Sequence, residues 1–260
     1  MSFLDEVVAG VRQNIAAGHY DMPEGRANLG TQPNRPNRFQ RAFQGGFGII
    51  AEIKPVSPSA GKLYSGDIGR LATAYARGGA IALSVLCEGT HFGGSPQNLE
   101  AANAAEIPLL AKDFAVSEKQ LESYAAHGAD AVLMIQELFD RKKTDAPREK
   151  MIQAAHEMGL CVLLEAHATE AVLKALDSDA DFVGINNRNL DDLSMNPLHY
   201  LNVISEIGPE KTSQKPLIAE SGFSTKADVD LAKANGFAGV LVGTSLLKSA
   251  DVEAAVRALQ

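Results

Sequence analysis

The stretch FGIIAEIKPVSPSAG, Phe47–Gly61, starts as an apolar run and ends in charge, hydroxyl, proline and glycine. Its first half reads as a buried strand of the kind that forms parallel sheets covered by helices. Strand side chains alternate, so Ile50, Glu52 and Lys54 share one face and two opposite charges point the same way at the strand's end. Desolvation costs several kcal/mol per ion, and a core ion pair is usually no better for stability than an apolar pair. The pair therefore points to chemistry at the place where a buried strand emerges.

The pattern recurs. IALSVLC, PLLAKDF, AVLMI, LCVLLEA, DFVGIN, PLIAE and GVLVG follow, making eight apolar runs with Phe47–Ile53. Between them lie segments of helical spacing, among them DIGRLATAYARGGA, SEKQLESYAAHG and TKADVDLAKANG, and several end in the glycine that a left-handed helix cap requires. Strand then helix, repeated in this way, predicts an α/β fold, a (β/α)8 TIM barrel; a doubly wound open sheet fits eight regular units less well. Ahead of it, the spacing of Phe3, Leu4, Val7, Val8, Val11 and Ile15 predicts an amphipathic helix, and Pro23–Arg38 reads as a polar surface connection. The expected organisation is one domain over 1–260, with 1–45 as an N-terminal helical extension and 46–260 as the barrel.

A chain of 260 residues, 45% hydrophobic, can bury a large core, and its net charge of -8 argues against nucleic-acid or anionic-membrane partners. Cys87 and Cys161 lie in apolar runs without a CxxC pair, and the N-terminus carries early acidic residues and no unbroken apolar segment. A cytoplasmic protein is expected, as a monomer or weak dimer.

Barrel enzymes collect their chemistry where strands end, and every run here ends in something polar or small. The seventh is followed by ESGFST and the eighth by GTSLLKS. In barrels these two loops commonly cradle a phosphate, so Ser221, Gly222, Gly243 and Thr244 are candidate phosphate contacts, against the plainer reading of ordinary turn chemistry. Glu52, Lys54, Lys112 and Glu165 should meet at the same mouth, where the alternative is a solvated rim network. Two lysines and two carboxylates suit proton transfer on an anionic substrate. No Ser-His-Asp ordering, dinucleotide fingerprint or metal-ligand cluster stands out, and His167 reads as a loop residue. A reaction without cofactor or metal is expected.

As a set the motifs resemble indole-3-glycerol phosphate synthase. EIKPVSPSAG is similar to that family's first-strand signature, LLAKDF, LLEAH and GINNRNL to its third, fifth and sixth, and AESGFS with LVGTSLL to its two phosphate loops. The resemblance runs in order from about Phe39 to the end. It implies ring closure, decarboxylation and dehydration of 1-(2-carboxyphenylamino)-1-deoxyribulose 5-phosphate. By the same resemblance, Lys112 is the acid that protonates the substrate carbonyl. Glu165 stabilises the developing positive charge and helps remove a proton, Glu52 lies near the leaving hydroxyl, and Lys54 holds anionic groups or acts as acid in the dehydration. Asn186 contacts the ring nitrogen or a hydroxyl, Ser57 the substrate carboxylate, and Glu220 and Arg188 stand behind them. Phe114, Leu133, Leu163 and Leu190 are expected to wall the ring.

Pro55 and Ala60 stand where that family usually carries basic residues, and His91 where it usually carries an aromatic one. A stiffer, less basic loop after the first strand is implied. Two other readings keep the barrel: a phosphoribosylanthranilate isomerase, which should offer a Cys or Asp pair at the first and fifth strands, and a catalytically silent phosphate-binding paralogue.

Overall fold

The computed structural model describes residues 2–23 and 37–260, so the connection expected over Pro23–Arg38 lies outside the described residues except at its ends. Helix α1, Phe3–Ala16, starts at a Ser2 capping box with Asp5 and buries the apolar stripe containing Leu4, Val7, Val8 and Val11. A five-residue helix, α2, Arg38–Ala42, opens the second described stretch. Its N-cap Asn37 also donates to the carbonyls of Asp130 and Gly159 at 2.6 and 2.7 Å, so it ties two barrel connections as well as its own helix.

The regular part runs β1, Gly48–Ile53; a small hairpin of β2, Val56–Ser57, and β3, Gly61–Lys62; then α3, Ile68–Arg77, β4, Ala82–Leu86, and α4, Gln97–Ala102. It continues through β5, Leu109–Lys112; α5, Glu118–Ala126; β6, Ala131–Ile135; α6, Gln136–Asp140; α7, Arg148–Glu157; and β7, Cys161–Ala166. The last third comprises α8, Thr169–Leu176; β8, Phe182–Asn186; α9, His199–Ile207; α10, Pro209–Thr212; β9, Leu217–Glu220; α11, Lys226–Ala234; β10, Gly239–Val242; α12, Thr244–Leu247; and α13, Val252–Arg257.

Eight of these strands, all but the hairpin, close into a parallel barrel in the order β1-β4-β5-β6-β7-β8-β9-β10. All eight expected runs became barrel strands, because a strand between a packed lumen and outer helices has no solvated face and its sequence shows it. Glycines 79, 128, 159, 208 and 236 end helical stretches at positive φ, as their spacing implied. The hairpin, α6 and α10 follow no apolar period and were not foreseen. One apolar core runs through the strands and takes in Leu4, Val7, Tyr20 and Phe39 from the N-terminal segments. At the N-terminal end of the strands, Phe39 and Phe43 pack on Phe182 with ring centroids 5.5 and 4.9 Å away. That end is closed by rings, with Asp130 and Asp181 paired to Arg38 and His156 around them, and the lysine–glutamate cluster lies at the other.

Candidate active site

Strand register sets the level of each inward side chain. Glu52 pairs with Ser84, Leu86 with Lys112, Ile135 with Glu165, and Asn186 with Glu220. Glu52, Lys112, Asn186 and Glu220 therefore converge at the C-terminal mouth around a cavity of about 550 Å³, with Glu165 behind them. The cavity also takes in Lys54, Ser57, Arg188 and the loops after β9 and β10. This volume lies in the ordinary range for small-molecule sites.

Lys54 Nζ lies 2.5 Å from Glu52 Oε1, which answers why the pair sits at a strand end: each neutralises the other beside the cavity. Burial alone would raise the Glu52 pKa, but the charges of Lys54 and Lys112 and the Lys54 hydrogen bond outweigh it and hold this carboxyl below the usual range. Lys112 Nζ donates to Glu165 Oε2 at 3.2 Å and stands 4.0 Å from Glu220 Oε2. Burial would lower its pKa, yet the carboxylates of Glu165, Glu220 and Glu52 push it above the ordinary lysine value. Lys112 is thus an ammonium in the resting site.

Glu220 behaves differently. Burial, and then the charge of Glu165, push its pKa well above the usual carboxylate range against the pull of Lys112. Among the described residues, Glu220 Oε1 has no hydrogen-bond partner. Gly184 makes room for it, since a Cβ there would collide with that oxygen. A neutral Glu220 fits these surroundings, and the charged cluster reduces to Glu52, Lys54, Lys112 and Glu165.

Glu165 is 1% exposed and borders a separate small cavity with Glu137 and His167 rather than the large one. It meets the substrate hollow through its partners: Lys112, and Asn186, whose Nδ2 donates to Glu165 Oε1 at 2.7 Å. Asn186 Oδ1 accepts the Arg188 N–H at 2.9 Å, so its amide is fixed at both ends. The Arg188 guanidinium donates to the Leu193 carbonyl at 2.8 Å. His167 Nδ1 lies 2.7 Å from the Asn186 carbonyl oxygen and its ring stacks on His199.

The two expected phosphate loops are adjacent in space. Ser221 and Gly222 take successive left-handed conformations, φ 68° and 90°, which turns the chain sharply at the end of β9. Asn187 Nδ2 donates to the Ser221 carbonyl at 2.9 Å and braces that turn. Gly243 leads into α12, and a Cβ on it would stand 2.5 Å from Glu52 Oε1. Its bareness thus serves the carboxylate as well as any approach by a ligand.

Among the expected ring-wall residues, Phe114 and Leu190 line the cavity. Leu133 does not, and that expectation is corrected: β6–β7 register sets Leu133 beside Leu163, two residues deeper than Ile135 beside Glu165. Both leucines are fully buried in the barrel core, and Ile135, Leu86 and Phe92 line the cavity instead. Sequence reasoning also missed Phe3, which α1 brings to the mouth, and Lys248, which follows α12. The lysine of GTSLLKS carried a signal; nothing in the spacing of α1 showed where that helix docks.

A family profile described as indole-3-glycerol phosphate synthase matches residues 4–259. The protein of that description from Micrococcus luteus is 37% identical over 269 residues, covering 100% of this chain and 97% of that one. The one from Methanopyrus kandleri is 39% identical over 263 residues, covering 98% and 97%. Among solved structures, a thiamine phosphate pyrophosphorylase from Pyrococcus furiosus superposes with a TM-score of 0.58 at 15% identity over 84% of this chain and 95% of that one, a likeness of fold alone.

Proposed function

The chain belongs to the indole-3-glycerol phosphate synthase family, and from that membership we propose how its residues divide the work. The reaction is a lyase step of tryptophan biosynthesis. It closes the ring of 1-(2-carboxyphenylamino)-1-deoxyribulose 5-phosphate, with loss of carbon dioxide and water.

The phosphate docks on the backbone at Ser221–Gly222 and Gly243–Thr244, with Lys248 as counter-charge. The carboxylate faces Lys54 and Ser57, and Phe114, Leu190 and Ile135 hold the aromatic ring. Folding the flexible ketose so that its carbonyl carbon meets the ring carbon is worth several kcal/mol of entropy. As that bond forms, Lys112 gives its proton to the carbonyl oxygen. Carbon dioxide leaves with its bonding pair returning to the ring. The new hydroxyl then departs as water with a proton from Lys54, while Glu52 or Glu165 takes up the proton lost from carbon or nitrogen. Asn186, held between Glu165 and Arg188, orients the hydroxyl or ring nitrogen. Glu165 also acts as the counter-ion that steadies Lys112 before and after its proton moves.

The observation that carries this assignment is the contact of Lys112 with Glu165 at the mouth of a cavity that also contains the two phosphate loops. Incubating the purified protein with the substrate and following indole fluorescence tests it. Lys112→Ala and Glu165→Gln should each lower kcat by about a hundredfold or more with a modest change in KM. Near-normal turnover in both would remove the assignment.

The chain is also proposed to work as one domain in the cytoplasm, as a monomer or weak dimer. In support, no helix among the described residues is long and apolar enough to cross a membrane. The exposed large apolar side chains are also few, among them Met22, Met195, Leu198 and Leu231.

A further inference from the structure

Beyond α1, the N-terminal segment carries two rings into the upper rim of the barrel. His19 Nε2 lies 2.9 Å from the Cys87 carbonyl oxygen. Tyr20, with none of its surface exposed, donates its hydroxyl to Asp113 Oδ2 at 2.9 Å. Asp113 stands between Lys112, the last residue of β5, and Phe114 in the chain, and it is 2% exposed.

Asp113 is a node. Its Oδ1 accepts the Phe114 N–H at 2.7 Å, and the nearby Tyr124 hydroxyl joins the Tyr20 hydroxyl in lowering its pKa. Tyr124 accepts from Gln120 Nε2 at 3.0 Å, and Gln120 Oε1 takes the N–H groups of Val116 and Ser117 at 2.8 and 3.2 Å. A continuous set of hydrogen bonds thus runs from the N-terminal segment into the backbone that follows Lys112. Packing alone does not require the Tyr20 hydroxyl, since phenylalanine would fill the same space against Tyr124, whose ring lies 6.1 Å away. The hydroxyl has a partner across 93 residues of sequence, and that partner is the neighbour of the proposed acid.

We infer that Tyr20 is a positioning residue for the reaction: by holding Asp113 it fixes the backbone from which Lys112 and Phe114 project, so that acid and ring wall keep their places as Lys112 gives up its proton. This deepens the reading above and rests on Lys112 being the acid. A reacting group displaced by about 1 Å can lose about a hundredfold in rate, so a remote tether of this kind acts on turnover more than on affinity.

The groups that face Asp113 are Tyr20 from the N-terminal segment, Tyr124 from α5, and Cys87 and Glu88 from the end of β4, with Lys112 beside it on its own strand. Burial raises the Asp113 carboxyl to about 7, with the charge of Glu88 adding to the rise and the Phe114 N–H and two tyrosine hydroxyls opposing it. Removing one hydroxyl donor destabilises the ionised form, so the carboxyl must titrate still higher.

The test is steady-state kinetics of the full chain on its substrate across the pH range, with the melting temperature of each variant. Tyr20→Phe should lower kcat by about tenfold, leave KM within about twofold, and move the acid limb of kcat to higher pH. Tyr124→Phe, which removes the other hydroxyl that lowers the Asp113 pKa, should move that limb in the same direction. A residue that only packs would lower the melting temperature and leave the limb in place. Wild-type kcat, or an unmoved acid limb, in Tyr20→Phe overturns the inference, and an unmoved limb in Tyr124→Phe does so even if Tyr20→Phe cannot be purified. Should Lys112→Ala retain turnover, the reading beneath fails instead; an inactive Lys112→Ala beside an unaltered Tyr20→Phe removes the inference alone.

Discussion

At the scale of single residues, the site separates carboxyl groups that share a wall into different charge states. Lys54 and Lys112 hold the Glu52 carboxyl below the usual range, whereas burial and the charge of Glu165 push that of Glu220 well above it. Glutamine is a near-isostere of a neutral glutamic acid and a poor substitute for a carboxylate. Glu220→Gln should therefore keep its melting temperature and a substantial part of its turnover. Glu52→Gln leaves Lys54 without its counter-charge and should lose turnover by about tenfold or more. Kinetics and calorimetry on the two variants check this; equal losses would mean that both groups are ionised. Sequence placed these side chains at strand ends because alternation and run length are local properties. It could not rank their charge states, since the decisive distances, such as the 4.0 Å between Lys112 and Glu220, join residues more than a hundred positions apart.

Elements show a second limit. Each barrel strand was legible because burial on both faces writes a continuous apolar run, but alternation fixes only which way a side chain points. Depth along the lumen depends on stagger between neighbouring strands, which is why Leu133 was expected to line the cavity and Ile135 lines it instead. Glycines carry comparable information: Gly243 reads as loop chemistry from sequence, and the structure adds that its missing side chain leaves room for Glu52. Gly243→Ala should drive the Glu52 carboxylate away from Lys54. It should raise KM through the phosphate loop and lower kcat through the ion pair, with a stability loss of about 1–3 kcal/mol. Turnover and substrate affinity both at wild-type level would show that the loop relaxes instead. At the opposite end of the barrel, Asn37 caps α2 and donates to the carbonyls of Asp130 and Gly159. Asn37→Ala should cost about 2 kcal/mol or more by urea unfolding while kcat stays unchanged, because nothing links that end to the chemistry. A change in kcat would count against so clean a division.

Over the whole molecule that division has a thermodynamic consequence. The catalytic end holds buried titratable groups whose pKa values move in opposite directions. Asp113 has its folded pKa raised to about 7 from an ordinary 3.8, so the folded state keeps a proton that the unfolded chain releases. Its contribution to stability is full below the ordinary value and is lost as pH climbs through about 7. Glu52 runs the other way: its pKa is depressed from 4.5, so its contribution is present above that value and lost as pH falls through the folded one. In wild type the two trends overlap with that of Glu220, which also disfavours high pH. Asp113→Asn removes one of them, because an amide does not titrate and can still accept the Phe114 N–H. Relative to wild type, its unfolding free energy should rise steadily from about pH 4 to about pH 7 and then level off. The slope of that rise is at most about 1.4 kcal/mol per pH step of one, the free energy of one proton held by the folded chain and released by the unfolded one. Chemical denaturation of both proteins at intervals across that window measures the difference directly. A difference that stays flat would mean that Asp113 is already ionised in the folded chain at low pH, and that its tyrosine donors outweigh its burial.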